Sequence, residues 1–338
     1  GFGHIGSVIG ASLANKGNKI YAIDNDKNKI QNFQKNRFNI DEPSLKRLLK
    51  INKKKIFFTN KYKYLSEVEM CIITVGTPLN KNQHPNFDDL DSCLKKVKKH
   101  INKASLIELK STIQPGTTRS LVNKIFGINN SLKISYSPER LAEGSAISDF
   151  ENNPVIIGTI KNDYQKYFEK FWIKLGFKVI KVSSPEVAEF SKLCDNLWID
   201  LNIALANELA ILADKCSINI DILDVINTAN SLKKGSSNVN ILLPSFGVGG
   251  YCLPKDPWFL DSFGKKNNFQ MFLPKISRSI NDNIPNYWAE RLSNYLKKKK
   301  LEKKKIKIAI LGYAFKSNTG DCRNTPVKDF VSALYLKG

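Results

Sequence analysis

Residues 1–6 read GFGHIG, a Gly-x-Gly-x-x-Gly run that opens directly onto the apolar, helix-periodic stretch SVIGASLANKG. Few patterns this short restrict a fold so far. The three glycines let backbone N–H groups approach a pyrophosphate, and a helix that starts inside the run turns its positive dipole end towards the same anion. The next stretch, NKIYAIDND, reads as a strand ending on Asp24, about twenty residues past the glycines, where such units place the acid that binds a ribose hydroxyl. A glycine-rich turn in an unrelated βαβ unit is the competing reading; the order of glycines, helix, strand and acid argues against it. Gly1, Gly3, His4, Ile5, Gly6 and Asp24 are therefore candidate dinucleotide-binding residues. An acid at 24 with no arginine directly after it favours NAD over NADP.

Strand-like runs recur at 70–78, 105–113, 133–140 and 154–160, separated by polar segments of helix length. Alternation of this kind predicts a Rossmann-like, doubly wound α/β domain over 1–184. Ligands in such folds lie beyond the carboxyl ends of the strands, so the loops GTPLN, KSTIQPGTT and SPERLAEG are expected to line the site. From Pro185 one apolar-periodic stretch runs to residue 216 without glycine or further proline, and reads as a long helix. It opens a central helical domain over 185–300 and, being apolar over much of its circumference, is expected to pair with its copy in a homodimer. A new apolar strand, a polar loop and a helix start follow, the beginning of a second Rossmann-like domain over 301–338. Both ends read as cut, since the strand expected before Gly1 is missing and a lone βα unit cannot bury its own faces.

A formal charge of +22 suits a polyanion, and nucleic acid is the first candidate. The lysines are spread over much of the chain, and the one dense run, LKKKKLEKKKIKI, falls where a linker would. Compositional drift explains that distribution better than a nucleic-acid face, leaving a smaller role in attracting an anionic small substrate. Six cysteines without CxxC spacing suggest neither a zinc site nor a disulfide framework and read as reduced thiols. No stretch approaches the roughly eighteen apolar residues of a membrane span. With no secretory leader to be read, the expectation is a soluble, cytoplasmic protein without membrane partners. Three histidines stand in no recognisable constellation, so acid–base chemistry is assigned to lysine or carboxylate.

Lys192 and Asn196, four apart on the long helix, share one face. They can be a solvated edge or a pair of donors to an oxygen that gains charge in a transition state. The stretch GVGGYCLPKDPWFL decides between these. It sets Cys252 between Gly249, Gly250 and Pro254, with Lys255 and Asp256 just beyond, a thiol placed to attack a carbonyl.

Taken in order, GFGHIG, KSTIQPGTT, SPERLAEG, EVAEFSKLCDNLWIDLNIALANELA, GVGGYCLPKDP and LGYAFKSNTGDCRNTP resemble the UDP-glucose/GDP-mannose dehydrogenase family over essentially the whole chain. SPER, NIALANELA and KDPWFL are more similar to the branch acting on UDP-N-acetylhexosamines. The resemblance implies two NAD-dependent oxidations of a sugar C6 alcohol to a uronic acid, with Cys252 carrying the aldehyde as a thiohemiacetal and then a thioester. It implies Lys192 and Asn196 as oxyanion donors, Asp256 as a proton-handling group, and Thr112 and Glu143 as holders of the hydrolytic water, with Thr77 and Thr112 also near the cofactor. Substrate contacts are implied for Glu139, Arg140, Leu141, Asn238, Gly249, Arg278 and Asn281, and Lys316 and Arg323 are placed near the UDP. Lys255 is implied as structural or as a substrate contact. UDP-glucose as substrate, or a non-catalytic nucleotide-binding fragment, are the alternatives.

Overall fold

The structure is a computed structural model and describes residues 1–235, 237–300 and 306–337. The chain forms two compact units, Gly1–Leu193 and a second from Cys194 onward. In the first, α1 (His4–Asn15), β1 (Ile20–Ile23), α2 (Lys27–Gln34), α3 (Leu45–Ile51) and β2 (Ile56–Thr59) come first. Then β3 (Met70–Ile73), α4 (Asp88–His100), β4 (Leu106–Leu109), α5 (Thr117–Phe126) and β5 (Lys133–Tyr136) follow. The unit ends with α6 (Ala146–Asn152), β6 (Val155–Thr159), α7 (Gln165–Lys174), β7 (Val179–Lys181) and the first part of α8 (Pro185–Lys215).

The strands form a five-stranded sheet in the order β3-β4-β5-β6-β7 and a separate parallel pair, β1-β2. All ladders of the larger sheet are parallel except β5 with β6. The five runs read as strands are all present; β2 and β7, short apolar runs of four and three residues set among lysines, were not singled out. Because side chains alternate across a strand, Leu106, Val155 and Ile157 join a core under α1, α6 and α7, while Ile107, Leu109 and Ile156 join another under α4 and α5. A cavity of ≈ 350 Å³ lies between the facing edges of β1 and β3, lined by Ile20, Tyr21, Met70 and Ile72 among others. Local chemistry sets the helix ends. The Asp26 side chain accepts from Lys29 N–H to start α2, and α4 carries Asp88, Asp89 and Asp91 in its first turn and Lys98, Lys99 and His100 in its last, matching its dipole.

In the second unit α8 continues to Lys215, one residue short of the expected end, followed by α9 (Ile222–Asn230) and a two-residue hairpin, β8 (Lys233–Lys234) with β9 (Ser237–Asn238). Residues 239–255 are irregular rather than helical. Then come α10 (Asp256–Lys266), α11 (Leu273–Lys298) and α12 (Pro326–Leu336). The strand expected near 304–313 falls partly outside the described residues, and 306–313 pair with no strand among the described ones. The expected helix start is present as α12: Thr325 caps it by accepting from Val327 N–H, with Pro326 first in the helix. Phe330 and Ala333 of α12 pack with Ala289 and Trp288 of α11, so the segment read as the start of a third domain packs on the second unit. No helix among the described residues is long and apolar enough to cross a membrane.

Candidate active site

At the start of the first unit the three glycines have three different reasons. A Cβ on Gly1 would meet the Thr74 carbonyl oxygen at 2.9 Å, and one on Gly6 would meet the Gly1 carbonyl oxygen at 2.3 Å, so both are required by backbone packing. Gly3 has nothing within 4 Å of a Cβ and leads into an α1 terminus with no side-chain cap, an open face suited to a phosphate. His4 and Ile5 are the first two residues of that helix.

Asp24 follows β1 directly and is 9% exposed. Its carboxylate accepts from Phe2 N–H at 2.7 Å, Asp26 N–H at 3.0 Å and Lys29 Nζ at 3.1 Å. Burial works to raise its pKa, but the N–H bonds from Asp26 and Phe2 and the Lys29 ammonium together hold it below the usual carboxylate range. The open glycine and a fixed, ionised acid at the strand end fit a dinucleotide. Sequence reading passed over Lys29; the signal was a lysine one helical turn into α2, five residues after the acid.

Further along, Thr77 is buried and its hydroxyl donates to the Thr112 carbonyl at 2.6 Å, fixing two of the expected loops to each other. Thr112 and Glu143 are half-buried. Glu139 turns its carboxylate back on its own loop, accepting from Arg140 N–H at 2.7 Å and Leu141 N–H at 3.0 Å. Burial raises the Glu139 carboxyl, while the Lys110 and Lys192 cations and these N–H bonds oppose the rise. Arg140 spends a guanidinium N–H on the Pro154 carbonyl at 2.7 Å. Lys192 is 8% exposed, a buried cation rather than a solvated helix edge.

Beside this loop lies a buried pair the sequence reading missed. Lys110 Nζ is 3.2 Å from Glu108 Oε1 and donates to Ser137 Oγ at 2.8 Å, while Trp172 Nε1 donates to Glu108 at 2.9 Å. The signal was two opposite charges at i, i+2 in the otherwise apolar run SLIELKSTI. Glu189, on α8, is a second omission. It accepts from Gly116 N–H at 2.6 Å and Thr118 N–H at 2.8 Å at the start of α5, and burial pushes its carboxyl up to about 7 despite those bonds.

The second unit gathers Asn196, Lys255 and Asp256 behind the Cys252 turn. Asp256 is fully buried and accepts from Asn196 Nδ2 and Lys255 Nζ, each at 2.5 Å. Lys255 also lies over the Phe259 ring, 4.1 Å from its centroid. The Cys252 carbonyl accepts from Lys255 N–H at 3.0 Å and Asp256 N–H at 2.8 Å, which seats the exposed thiol at the head of α10. A Cβ on Gly249 would strike Phe315 Cβ at 2.5 Å, and Gly250, at φ +82°, faces the Phe315 ring. Gly249, implied by the resemblance as a substrate contact, and Gly250 thus sit against residues 315–326, with Gly250 N–H donating to the Arg323 carbonyl at 2.9 Å.

Arg278 is 2% exposed and donates to Asp200 at 2.6 Å and to Asp282; Asn281 is 1% exposed and donates to Asp200 at 2.9 Å. Both expected substrate contacts are thus engaged in a buried knot between α8 and α11. Asn238 is exposed in β9, and Lys316 and Arg323 are exposed, Arg323 being paired with Asp321 and lying 5.5 Å from the Tyr251 ring centroid. The irregular strap before Cys252 is held by asparagines that sequence reading did not single out. Asn202 Nδ2 donates to the Asn240 backbone carbonyl at 2.6 Å, and Oδ1 of Asn202 and of Asn207 accepts from Leu242 N–H at 2.9 Å and Ser245 N–H at 2.7 Å, respectively.

An open glycine loop on a helix terminus, an acid at the next strand end and a predominantly parallel sheet define the first unit as the NAD-binding domain of a dehydrogenase. Residues 1–175 match the NAD binding domain, and residues 186–283 the central domain, of the UDP-glucose/GDP-mannose dehydrogenase family, and the chain belongs to that family. It is an NAD-dependent nucleotide-sugar dehydrogenase. The UDP-N-acetyl-D-mannosamine dehydrogenase of Methanococcus maripaludis is 31% identical over 100% of this chain and 76% of its own length. That of Campylobacter jejuni is 32% identical over 99% and 82%. Among solved structures, the UDP-D-ManNAc dehydrogenase from Pyrococcus horikoshii aligns at a TM-score of 0.89 with 30% identity, covering 100% of this chain and 80% of that one. A UDP-glucose dehydrogenase from Pyrobaculum islandicum shares the fold at a TM-score of 0.86 and 24% identity.

Proposed function

We propose that the substrate is a UDP-N-acetylhexosamine, with UDP-N-acetylmannosamine first among them, and that its C6 alcohol is oxidised twice to the uronic acid through Cys252. The observation that carries this reading is the exposed Cys252 thiol set at the head of α10, immediately before the buried Lys255, Asp256 and Asn196. The names of the similar enzymes support the sugar. NAD, held by the glycine loop and Asp24, supplies a hydride acceptor for each oxidation.

Lys192 and Asn196 donate to the C6 oxygen as it gains negative charge, and the hydroxyl proton leaves through Asp256 or solvent. Cys252 Sγ then bonds to C6 of the aldehyde, and the oxygen takes up a proton to give the thiohemiacetal. Loss of the second hydride and of that proton leaves a thioester. Water positioned by Thr112 and Glu143 attacks C6, the C–S bond breaks, and the thiol and carboxylate are released. Cys252 in this scheme keeps the aldehyde bound between the two oxidations.

A homodimer through α8 belongs to the same reading: Trp198, Leu205 and Leu212, seven residues apart, expose 49%, 45% and 60% of their surface as one apolar stripe. The test of substrate is NADH release from a panel of UDP-sugars, with NAD and NADP supplied in turn. Two NADH per UDP-N-acetylmannosamine, with NAD preferred, is the expected result. Turnover of UDP-glucose alone would reassign the substrate, and no turnover of any sugar by a folded chain would leave only a nucleotide-binding role.

A further inference from the structure

Glu42 lies in the irregular stretch between α2 and α3, far in sequence from every residue assigned to the reaction, yet it is 5% exposed. Its carboxylate is shared between two functional segments. Oε1 accepts from Ala146 N–H at 2.8 Å and Oε2 from Gly144 N–H at 2.9 Å, and Oε2 also lies 3.4 Å from Nε2 of His4. His4 is the first residue of α1, inside the glycine loop. Gly144 and Ala146 end the segment that carries Glu139, Arg140, Leu141 and Glu143.

That segment is held almost entirely by acids. Arg140 and Leu141 N–H go to Glu139, Ala142 N–H goes to Asp149 at 2.9 Å, and Gly144 and Ala146 N–H go to Glu42. Glu139 and Asp149 lie within ten residues of the N–H groups they accept from, and Arg140 ties the loop only as far as Pro154. Glu42 reaches it from about a hundred residues away. Ser145, the N-cap of α6, makes no side-chain cap bond, and Gly144 takes φ +87° so that its N–H can turn to Glu42. Bonds from N–H to a buried carboxylate are charge-assisted and short, and hold a loop more firmly than neutral ones.

We propose that Glu42 is a positioning residue that couples occupancy of the glycine loop to the order of residues 139–146. A dinucleotide seated at the start of α1 restrains His4, and a restrained His4 holds the Glu42 carboxylate that grips Gly144 and Ala146. By linkage the effect is reciprocal: whatever ordering of 139–146 the cofactor brings must return as cofactor affinity. The inference rests on the proposed roles of Glu139 and Glu143 for its effect on turnover, but not for the coupling itself.

Hydrogen exchange of amides 140–146, with and without NAD, tests the coupling without any turnover. In the parent, NAD should slow their exchange. In Glu42→Gln, which keeps the volume but removes the charge, exchange should be fast and insensitive to NAD, although NAD still binds. His4→Gln leaves both backbone bonds in place; it should retain the parent's exchange without NAD and lose only the response to it. With UDP-sugar, Glu42→Gln should lower kcat/KM on the order of 10²-fold, the scale of a misplaced reacting group, with the larger part in the sugar term. An NAD-dependent slowing that survives in both variants overturns the proposal. If the exchange results hold while Glu139→Gln and Glu143→Gln turn over normally, the coupling stands and the assigned roles of those two residues fail.

Discussion

Glu189→Gln should change how the first unit's stability depends on pH, and the direction can be worked out from the site. Glu189 is fully buried and accepts two N–H bonds at the start of α5, where Gly116, at φ +85°, is an N-cap with no side chain of its own. Burial raises its pKa from the ordinary 4.5 to about 7, the N–H bonds opposing and nearby Glu186 adding to the rise. A carboxyl raised on folding is protonated in the folded chain when it is already ionised in the unfolded one, so its contribution is fully present below pH 4.5 and lost as pH climbs to about 7. That interval, at roughly 1.4 kcal/mol per unit, amounts to about 3 kcal/mol. Glutamine is neutral throughout and removes this dependence. It also points an amide N–H₂ at one of the two backbone donors, a penalty that does not vary with pH and so drops out of the slope. Urea unfolding at pH 5, 6, 7 and 8, read by pulsed hydrogen exchange in β4 and α5, gives parent and variant stabilities. The parent should lose about 2.5 kcal/mol relative to the variant from pH 5 to pH 8, the rest of the interval lying below pH 5. A difference that stays flat with pH would show that the two N–H bonds fully compensate the buried charge, and the reasoning would fail.

Three further outcomes follow from the same geometry. Cys252→Ala should permit the first oxidation but release no uronic acid, seen by following NADH and product separately in single turnovers; two NADH and free uronic acid at the parental rate would make the thiol structural. Arg278→Met strands the buried Asp200 carboxylate and should destabilise the second unit by about 3–5 kcal/mol in denaturant titrations, whereas a change in sugar KM at unchanged stability would restore Arg278 as a substrate contact. Leu205→Lys, in the centre of the exposed α8 stripe, should convert a dimer to monomer in solution scattering, and a parent that is already monomeric removes α8 as an interface.

Much of this was legible in the sequence because it is written in local patterns. Glycines before an apolar helix, β-branched runs of four or five residues and thirty-one residues of uninterrupted helical periodicity each report on neighbours along the chain, and the structure has the glycine loop, five of the strands and α8 where those patterns put them. The helix start read after the polar loop near the end of the chain is present as α12. What escaped is carried by single polar residues whose partners are distant. Glu42 looks like any acid in a lysine-rich loop until Gly144 and Ala146 arrive beside it. Arg278 and Asn281 were expected as substrate contacts only because the family resemblance implies it; packing brings Asp200 to them instead. The close approach at Gly249 and Gly250 is made by Phe315, which lies more than sixty residues on. The strand expected near 306–313 was judged by apolar content alone, and a strand needs a partner for its backbone donors as much as it needs a face to bury.

The distribution of charge between interior and surface bears on how the basic composition is to be read. Lysine and arginine outnumber aspartate and glutamate by 53 to 31 in the chain. Among the described residues the buried charged groups run the other way: Asp24, Glu42, Glu108, Glu189, Asp200, Asp256 and Asp261 against Lys110, Lys192, Lys255 and Arg278. The interior is therefore net acidic and the whole positive excess lies outside it. Buried carboxylates suit this chain because a carboxylate can accept from two backbone donors at once, as Glu42 and Glu189 do, whereas a buried ammonium must find oxygen acceptors and ends up against an acid, as Lys110 and Lys255 do. Surface lysines carry no such obligation and can accumulate with little effect on the fold. Their field still acts on a doubly charged nucleotide sugar approaching from solution, and at an ionic strength near 0.15 M it is screened beyond about 8 Å. The basic excess is therefore a property of the surface, while the buried charges of both signs are fixed by partners within the fold.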